Sequence, residues 1–450
     1  TMASAVSGKG PSSHSHKHKS HESTPICMPT LFIRQGKAVD ENDKTPPCDA
    51  VERAQSLGLL SELAIVVLDD SEATWASVDT ILTQGTKIRL EGVRTLDDAL
   101  AYLDKGVAKI VLPAQTWEQE EAVGIIGKYT QRFVAAFASD VKANTEDEAK
   151  RITELSTYVT EVLITFDSGR LADVVDAQSP ITNKLKTLAQ QAKTQNVLLS
   201  VTGGIASTAE LTAIEKIGIR PQVGNSLING TLEIADLIIP FTVSGRHDNL
   251  ITTVVVDEQH VALGLVYSDE ESIREAMRKR AGIYHSRRRG LWHKGLTSGA
   301  TQDLKEVTLD CDRDALRFVV HQNGIGFCHL NRYTCWDGDR GVGHLFRTLL
   351  DRKVNPVEGS YTNKLLNKTE LLNAKMLEEA TEIIDAKDKD HVAAEAADVL
   401  YFASVICTRA GATWKDVENH LDRRSRRVRR RKGAAKPYAL ELLRKSMADK

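Results

Sequence analysis

The spacing of apolar residues changes twice along this chain, and each change closes off most of the folds open to 450 residues. Over residues 29–243, short β-branched runs alternate with amphipathic stretches. The runs are Leu63–Leu68, Lys87–Leu90, Lys109–Leu112, Phe133–Phe137, Glu161–Thr165 and Val197–Val201, with helical spacing in Thr95–Lys105 and Thr208–Ile217. That rhythm predicts βα units on a parallel sheet. Seven or eight such units predict a closed barrel, with Gly203-Gly204 and Gly224-Asn225 placed as tight or phosphate-binding turns at its top. A polar break at Ser244–Asn249 precedes Ile251–Val256 and Val261–Val266, which read as a hairpin opening an α+β unit over 247–340. From 341 to 432 the period is helical throughout, which predicts an all-α unit. The chain is therefore expected to be multidomain. Residues 1–28, rich in Ser, His, Lys and Gly, read as a disordered tail with His14, His16, His18 and His21 solvated, and 433–450 as a linker.

Chemistry concentrates in residues 291–335. Cys311, Cys328 and Cys335 are three of the six cysteines. Three thiolates hold zinc at ~2.3 Å and leave a fourth position for water, the build of a catalytic zinc site. Their gaps match no zinc finger, so spacing alone leaves open thiols that merely pack. Asp310, Asp312 and Asp314 alternate about Cys311 and, on an extended segment, project to one side; a carboxylate row of this kind suits Mg²⁺. An EF-hand is excluded, because Ala315 stands where glycine is required and His321 where glutamate is required.

In the helical unit, Glu378, Glu379 and Glu382 fall within one turn and share a face. The next helix, Val392–Arg409, is apolar almost all the way round, which predicts burial, yet it carries Glu395 and Asp398. Buried carboxylates need a partner; a shared cation satisfies them, and so would ion pairs to Lys375 or Arg409.

Trp292-x-Lys294-Gly295-x-Thr297-Ser298-Gly299, the Asp-Cys-Asp-x-Asp run, and Cys328-His329 followed by Cys335 resemble phosphoribosyl-AMP cyclohydrolase. The resemblance implies zinc on Cys311, Cys328 and Cys335 across a homodimer interface, and Mg²⁺ on Asp310, Asp312 and Asp314. It further implies substrate at Trp292, Lys294, Gly295, Thr297, Ser298 and Gly299, catalysis by His329 and Lys294, and phosphate capture by Arg287. Leu330-Asn331 depart from the family's usual Thr-Gly after the Cys-His pair. Gly359-Ser-Tyr361-Thr-x-Lys364, Lys375, and the acids Glu378, Glu379, Glu382, Glu395 and Asp398 resemble phosphoribosyl-ATP pyrophosphohydrolase. There the acids bind Mg²⁺, Glu379 is catalytic, and Tyr361, Lys364 and Lys375 meet the substrate.

Gly92-Val93-Arg94-Thr95 with Gly106, and Val201-Thr-Gly-Gly-Ile205, resemble the phosphoribosyl-formimino isomerase barrel. Phe32 or Ile33 stands where that family ends its first strand on an acid, although Asp140 keeps a second acidic position. Paired acid/base work is then not expected, and the barrel is expected to be catalytically silent. The order of units resembles the N-terminal part of the fungal multifunctional histidine-biosynthesis proteins, without their histidinol dehydrogenase portion. A hydrolase taking phosphoribosyl-ATP and then phosphoribosyl-AMP is the expectation. A general nucleotide pyrophosphohydrolase, and a zinc-stabilised scaffold or nucleic-acid adaptor, stay open.

Charge is balanced at 59 basic and 61 acidic residues, so no global field favours nucleic acid or membrane. Arg423–Lys432 is locally basic and reads as a solvated run or a helix cap. No eighteen-residue apolar run and no secretory apolar stretch stand out, and clustered thiols suit a reducing compartment, so a cytoplasmic protein is expected.

Overall fold

The computed structural model describes residues 26–40, 45–167, 171–336 and 338–429, with a few single positions beyond. Residues 1–25 of the expected N-terminal tail, residues 430–432 and most of the C-terminal segment lie outside the described residues. The sequence reading takes the tail to 28, but Cys27 and Met28 are buried and Met28 opens the first strand. Eight parallel strands form the N-terminal unit: β1 (Met28–Arg34), β2 (Glu62–Val67), β3 (Lys87–Glu91), β4 (Lys109–Pro113), β5 (Phe133–Ser139), β6 (Glu161–Phe166), β7 (Leu198–Thr202) and β8 (Arg220–Val223). They lie side by side in chain order, and β8 pairs back onto β1 to close a barrel. Six of the eight were legible in sequence. The first and last were not, because Pro29 and Pro221 break the pattern of a central strand. Helices between strands start where a side chain satisfies an orphan N–H: Ser71, Thr95, Asn144, Ser179 and Ser207 each accept from the first turn.

Strand alternation sends one set of side chains into the barrel, and this interior is charged. Glu161 accepts from Arg89, Arg220, Lys109 (2.7 Å) and Ser200 (3.0 Å), while Arg89 also reaches Gln222 at 2.6 Å. Arg89 and Glu161 are fully buried. Burial pushes the Glu161 carboxyl up, but Arg220, Arg89 and Lys109 outweigh it and hold it well below the usual carboxylate range. Two residues along the strands, Val111, Val134 and Leu163 supply a small apolar cluster separate from the main core.

The second unit is a six-stranded sheet: β9 (Ile251–Val256), β10 (Ala262–Ser268), β11 (Ile283–Ser286), β12 (Gly290–His293), β13 (Gln302–Leu309) and β14 (Ala315–Gln322). Its order is β12-β11-β10-β9-β14-β13, with only β9 and β14 parallel. The amphipathic α1 (Glu270–Lys279) packs on it and ion-pairs with the barrel, Arg278 to Glu233 at 2.9 Å and Arg274 to Asp236 at 2.7 Å.

Five helices make the third unit: α2 (Gly341–Val354), α3 (Tyr361–Asn367), α4 (Thr369–Asp385), α5 (Lys389–Ala410) and α6 (Trp414–Ser425). Its fully buried apolar core is small: Leu349, Leu365, Leu372, Phe402 and Val405. The expected burial of α5 is not met within one chain, since only Phe402, Ser404, Val405 and Thr408 are buried and Val392 and Leu400 stay exposed. By length and composition alone α5 is long and apolar enough to cross a membrane, although Glu395 and Asp398 interrupt its apolar run.

Arg424, Arg427 and Arg429 are exposed and Arg423 and Arg424 lie in the last turn of α6, as expected of a solvated run or a cap, but the described part of the run also touches the barrel. Arg429 bonds Asp104 through its backbone N–H (2.9 Å) and its guanidinium, Arg132 donates to the Arg426 carbonyl, and Arg423 covers Gly106, where an added Cβ would meet its own Cβ at 2.9 Å. The run clasps α6 to the barrel.

Glu161→Gln leaves Arg89 and Arg220 buried without their counter-charge, so the barrel should lose about 3–5 kcal/mol, read as a lower denaturant midpoint. A carboxyl depressed in the folded state contributes stability above its unfolded pKa and loses it as pH falls. The gap between wild type and variant should therefore narrow in acid; a gap constant with pH would contradict the network.

Candidate active site

Cys328 and Cys335 are brought together by a tight loop after β14. Phe327 N–H donates to Tyr333 O and Cys328 N–H to Arg332 O, both at 3.0 Å, which closes the loop on itself. Asn331 takes a left-handed φ of 58°, which asparagine tolerates, so the departure from the family's glycine preserves the turn. Cys335 N–H donates to Leu263 O and Thr334 Oγ1 to Ala262 O, both at 2.8 Å, pinning the loop to β10. Gly264 makes room for it: a Cβ there would lie 2.2 Å from the Phe327 ring. Burial, and then the neighbouring Cys328, pushes the Cys335 thiol up.

The Lys294–Gly299 loop lies against the same end of the sheet. Lys294 is buried, donates to Ala300 O at 3.1 Å and sits 5.3 Å from the Phe327 ring centroid. Burial lowers its pKa, and Cys335 and Cys328 oppose that shift. Gly295, at φ 84°, admits no side chain because a Cβ would lie 2.2 Å from Ala300 C. Thr297, Ser298 and Gly299 are exposed, as is His329. Trp292 is half-buried on β12, and Arg287 stacks on Tyr267 with its guanidinium 4.8 Å from the ring centroid.

Cys311 does not join them. It sits in the exposed turn before β14 and belongs to none of the groups of converging ligand atoms among the described residues. The aspartates of this turn do converge, each offering an oxygen within 4.8 Å of the others. They converge because residues 310–314 form a turn, with Arg313 at φ 70°, and not through the strand alternation expected from sequence. Asp312 first, then partial desolvation and Asp310, pushes the Asp314 carboxyl up.

The helical acids meet across two elements. Glu379 on α4 and Glu395 and Asp398 on α5 offer oxygens within 4.8 Å, and so do Glu378, Glu379 and Glu382. Glu379 is buried, and Glu395 Oε2 is buried with no hydrogen-bond partner. The ion pairs from Glu395 and Asp398 to Lys375 or Arg409 are not made: Lys375 bridges Glu378 at 2.7 Å and Glu379 at 2.9 Å, Arg409 bonds Thr369 at 3.0 Å, and Glu395 Oε1 lies 3.4 Å from His391 Nε2. Partial desolvation, then Glu379, Glu395 and Glu378, pushes the Glu382 carboxyl up. An anionic cluster that Lys375 and His391 compensate only in part, with an orphaned buried oxygen, suits a hard cation. Tyr361 and Lys364 sit on α3, exposed.

Sequence reasoning missed a second constellation beside the thiols. Asp257, Tyr333 and Arg347 interlock, and His285 bonds Asp269 at 2.6 Å near Tyr267. Nothing in residue spacing marks these groups, since each comes from a different element.

Residues 264–337 match the family model for phosphoribosyl-AMP cyclohydrolase, and residues 342–425 match that for phosphoribosyl-ATP pyrophosphohydrolase. A stretch of 184 residues is 38% identical to the histidine biosynthesis bifunctional protein HisIE of Prochlorococcus marinus, covering 36% of this chain and 83% of that protein. The chain belongs to the HisIE family. Among fungal relatives, the bifunctional protein his7 of Schizosaccharomyces pombe is 49% identical over 205 residues, 46% of this chain and 49% of his7. The trifunctional histidine biosynthesis protein of Komagataella pastoris is 46% identical over 241 residues, 52% of this chain and 29% of that protein. This chain thus spans half or less of the fungal relatives, and its HisIE-like portion carries both the thiol loop and the helical acids.

Cation binding on the helical acids is measurable directly. At 100 times its dissociation constant a bound ion adds about 2.7 kcal/mol, so Mg²⁺ should raise the melting temperature of the helical unit by several degrees. Asp398→Asn should abolish that rise, and the rise should shrink as pH falls and protons compete at Glu382 and its neighbours. A Mg²⁺-independent melt would remove the site.

Proposed function

We propose that this chain performs two consecutive hydrolyses of histidine biosynthesis. The helical unit cleaves phosphoribosyl-ATP to phosphoribosyl-AMP and pyrophosphate, and the sheet unit opens the adenine ring of phosphoribosyl-AMP between N1 and C6. The observation that carries this reading is that each of two adjacent family matches contains its own converged ligand cluster.

In the helical unit, Glu378, Glu379, Glu382, Glu395 and Asp398 are the donors for Mg²⁺, and the orphaned Glu395 oxygen fits that role. Mg²⁺ there supplies charge neutralisation along the phosphate chain and polarises the attacking water. Glu379, buried between the helices, takes a proton from that water, while Lys375, Lys364 and Tyr361 orient the phosphates.

In the sheet unit, Cys328 and Cys335 are two soft donors, and Cys311 of a second copy supplies the third. Zinc on thiolates contributes Lewis acidity that makes hydroxide available near neutral pH. Lys294 fixes the Gly295–Gly299 loop through Ala300, and His329, exposed beside Cys328, moves the proton. Asp310, Asp312 and Asp314 are donors for Mg²⁺ at the same turn as Cys311. Homodimerisation also gives the exposed apolar face of α5 something to pack against, which suits a bundle helix carrying two acids better than a membrane span.

The barrel acts as a silent scaffold. Phe32, where the isomerase-like pattern requires an acid, packs its ring against the Gly224 turn; a Cβ on Gly224 would lie 2.4 Å from it. An apolar ring there leaves no acid on the first strand for proton transfer.

With phosphoribosyl-ATP, Mg²⁺ and Zn²⁺, the chain should release pyrophosphate and form ring-opened product. Cys328→Ser should lose ring opening by a hundredfold or more and keep pyrophosphate release, whereas Asp398→Asn should do the reverse when each step is assayed on its own substrate. Equal loss of both activities in either variant contradicts two separate sites.

A further inference from the structure

We infer that Arg347, on the first helix of the pyrophosphohydrolase-like unit, is a positioning residue for the thiolate site of the neighbouring cyclohydrolase-like unit. The inference rests on the reading that Cys328 and Cys335 hold a metal.

Arg347 leaves α2 and crosses onto the loop that carries both cysteines. Its guanidinium lies 3.6 Å from the ring centroid of Tyr333, which stands between Cys328 and Cys335 in the chain. Arg347 Nη1 pairs with Asp257 Oδ2 at 3.2 Å, and Tyr333 OH donates to that same oxygen at 2.8 Å. The other Asp257 oxygen accepts the backbone N–H groups of Gln259 (3.0 Å) and Val261 (2.8 Å), fixing the carboxylate at the end of β9. Arg347 Nη2 pairs with Asp339 on the connecting segment. Asp257 is 2% exposed, so its charge is compensated by this guanidinium and by hydrogen bonds alone.

The loop is thereby held from two sides. β10 anchors it through Cys335 N–H and Thr334, and the helical unit anchors it through the Tyr333 ring. Two thiolates drawn onto one ion repel each other until it arrives, so the loop needs an external brace to present them at ligand spacing. Partners behind first ligands that set their orientation are worth tenfold to a hundredfold in metal affinity. Arginine suits the task because a planar cation both stacks on a ring and pairs with a carboxylate, whereas lysine does only the second.

The test uses the full chain and Co²⁺, whose thiolate charge-transfer absorption reports ligation independently of turnover. Arg347→Met should weaken Co²⁺ and Zn²⁺ affinity tenfold to a hundredfold and alter the cobalt spectrum while leaving pyrophosphate release intact. Arg347→Lys should recover part of the affinity. Tyr333→Leu removes the other half of the contact, should lose as much, and should add little to Arg347→Met in the double variant. If Arg347→Met does not fold, Tyr333→Leu decides. Wild-type affinity and spectrum in whichever of the two folds overturns the positioning role. A wild-type chain that shows no thiolate-to-cobalt band overturns the zinc reading itself, and the positioning role with it.

Discussion

Like charges forced together by helix packing govern the C-terminal half of this molecule. Glu379 is fixed on α4 and Glu395 and Asp398 on α5, and the Leu372–Phe402–Val405 core that joins the two helices leaves them no room to separate. Glu379 is buried, Glu395 half-buried and Asp398 exposed, contrary to the burial expected for both acids of α5, and carboxylates at such range repel unless they take up protons or share a cation. The raised Glu382 carboxyl and the orphaned Glu395 oxygen are the two signs of that unresolved repulsion. Lys375 answers only part of it, because it spans Glu378 and Glu379 and reaches neither residue of α5. On the function proposed above, this cluster is the donor set that a divalent ion beside a phosphate chain would use.

A single chain leaves two requirements unmet, and one arrangement meets both. β14 keeps Cys311 and its aspartates at the far end of the sheet from Cys328 and Cys335. The long α5 turns apolar residues outward from a five-residue core. A second copy placing its β13–β14 turn beside the thiol loop would complete the ligand set, and one covering α5 would complete the bundle.

What the sequence made legible follows from which residues carry a local signal. Period-two and period-3.6 patterns located six barrel strands and the helical unit, since burial on one face repeats along the chain. The β1 and β8 strands hid behind Pro29 and Pro221. Ligand residues were readable because the chemistry restricts their type, and Glu379 with Glu395 and Asp398 did converge. The aspartate turn was misread as extended, since alternation in sequence is also what a five-residue turn produces. The Glu161 network and the Asp257–Tyr333–Arg347 contact were invisible, because each joins residues far apart in the chain whose local context is unremarked.

The barrel inverts the usual division between a packed interior and a reactive mouth. Its mouth holds the Phe32 ring against Gly224, while its interior holds a glutamate gripped by two arginines and a lysine. Such a network contributes less stability than apolar packing of equal volume, but removing one member leaves an uncompensated charge, so it fixes which strands meet. Outside, the barrel offers Asp104, Gly106 and the Arg132 guanidinium to the arginine-rich run, and Glu233 and Asp236 to α1. These contacts tie both the sheet and the helices to the barrel. Arg347 then has a fixed path from α2 to the thiol loop, which a flexibly tethered helical unit would not give it.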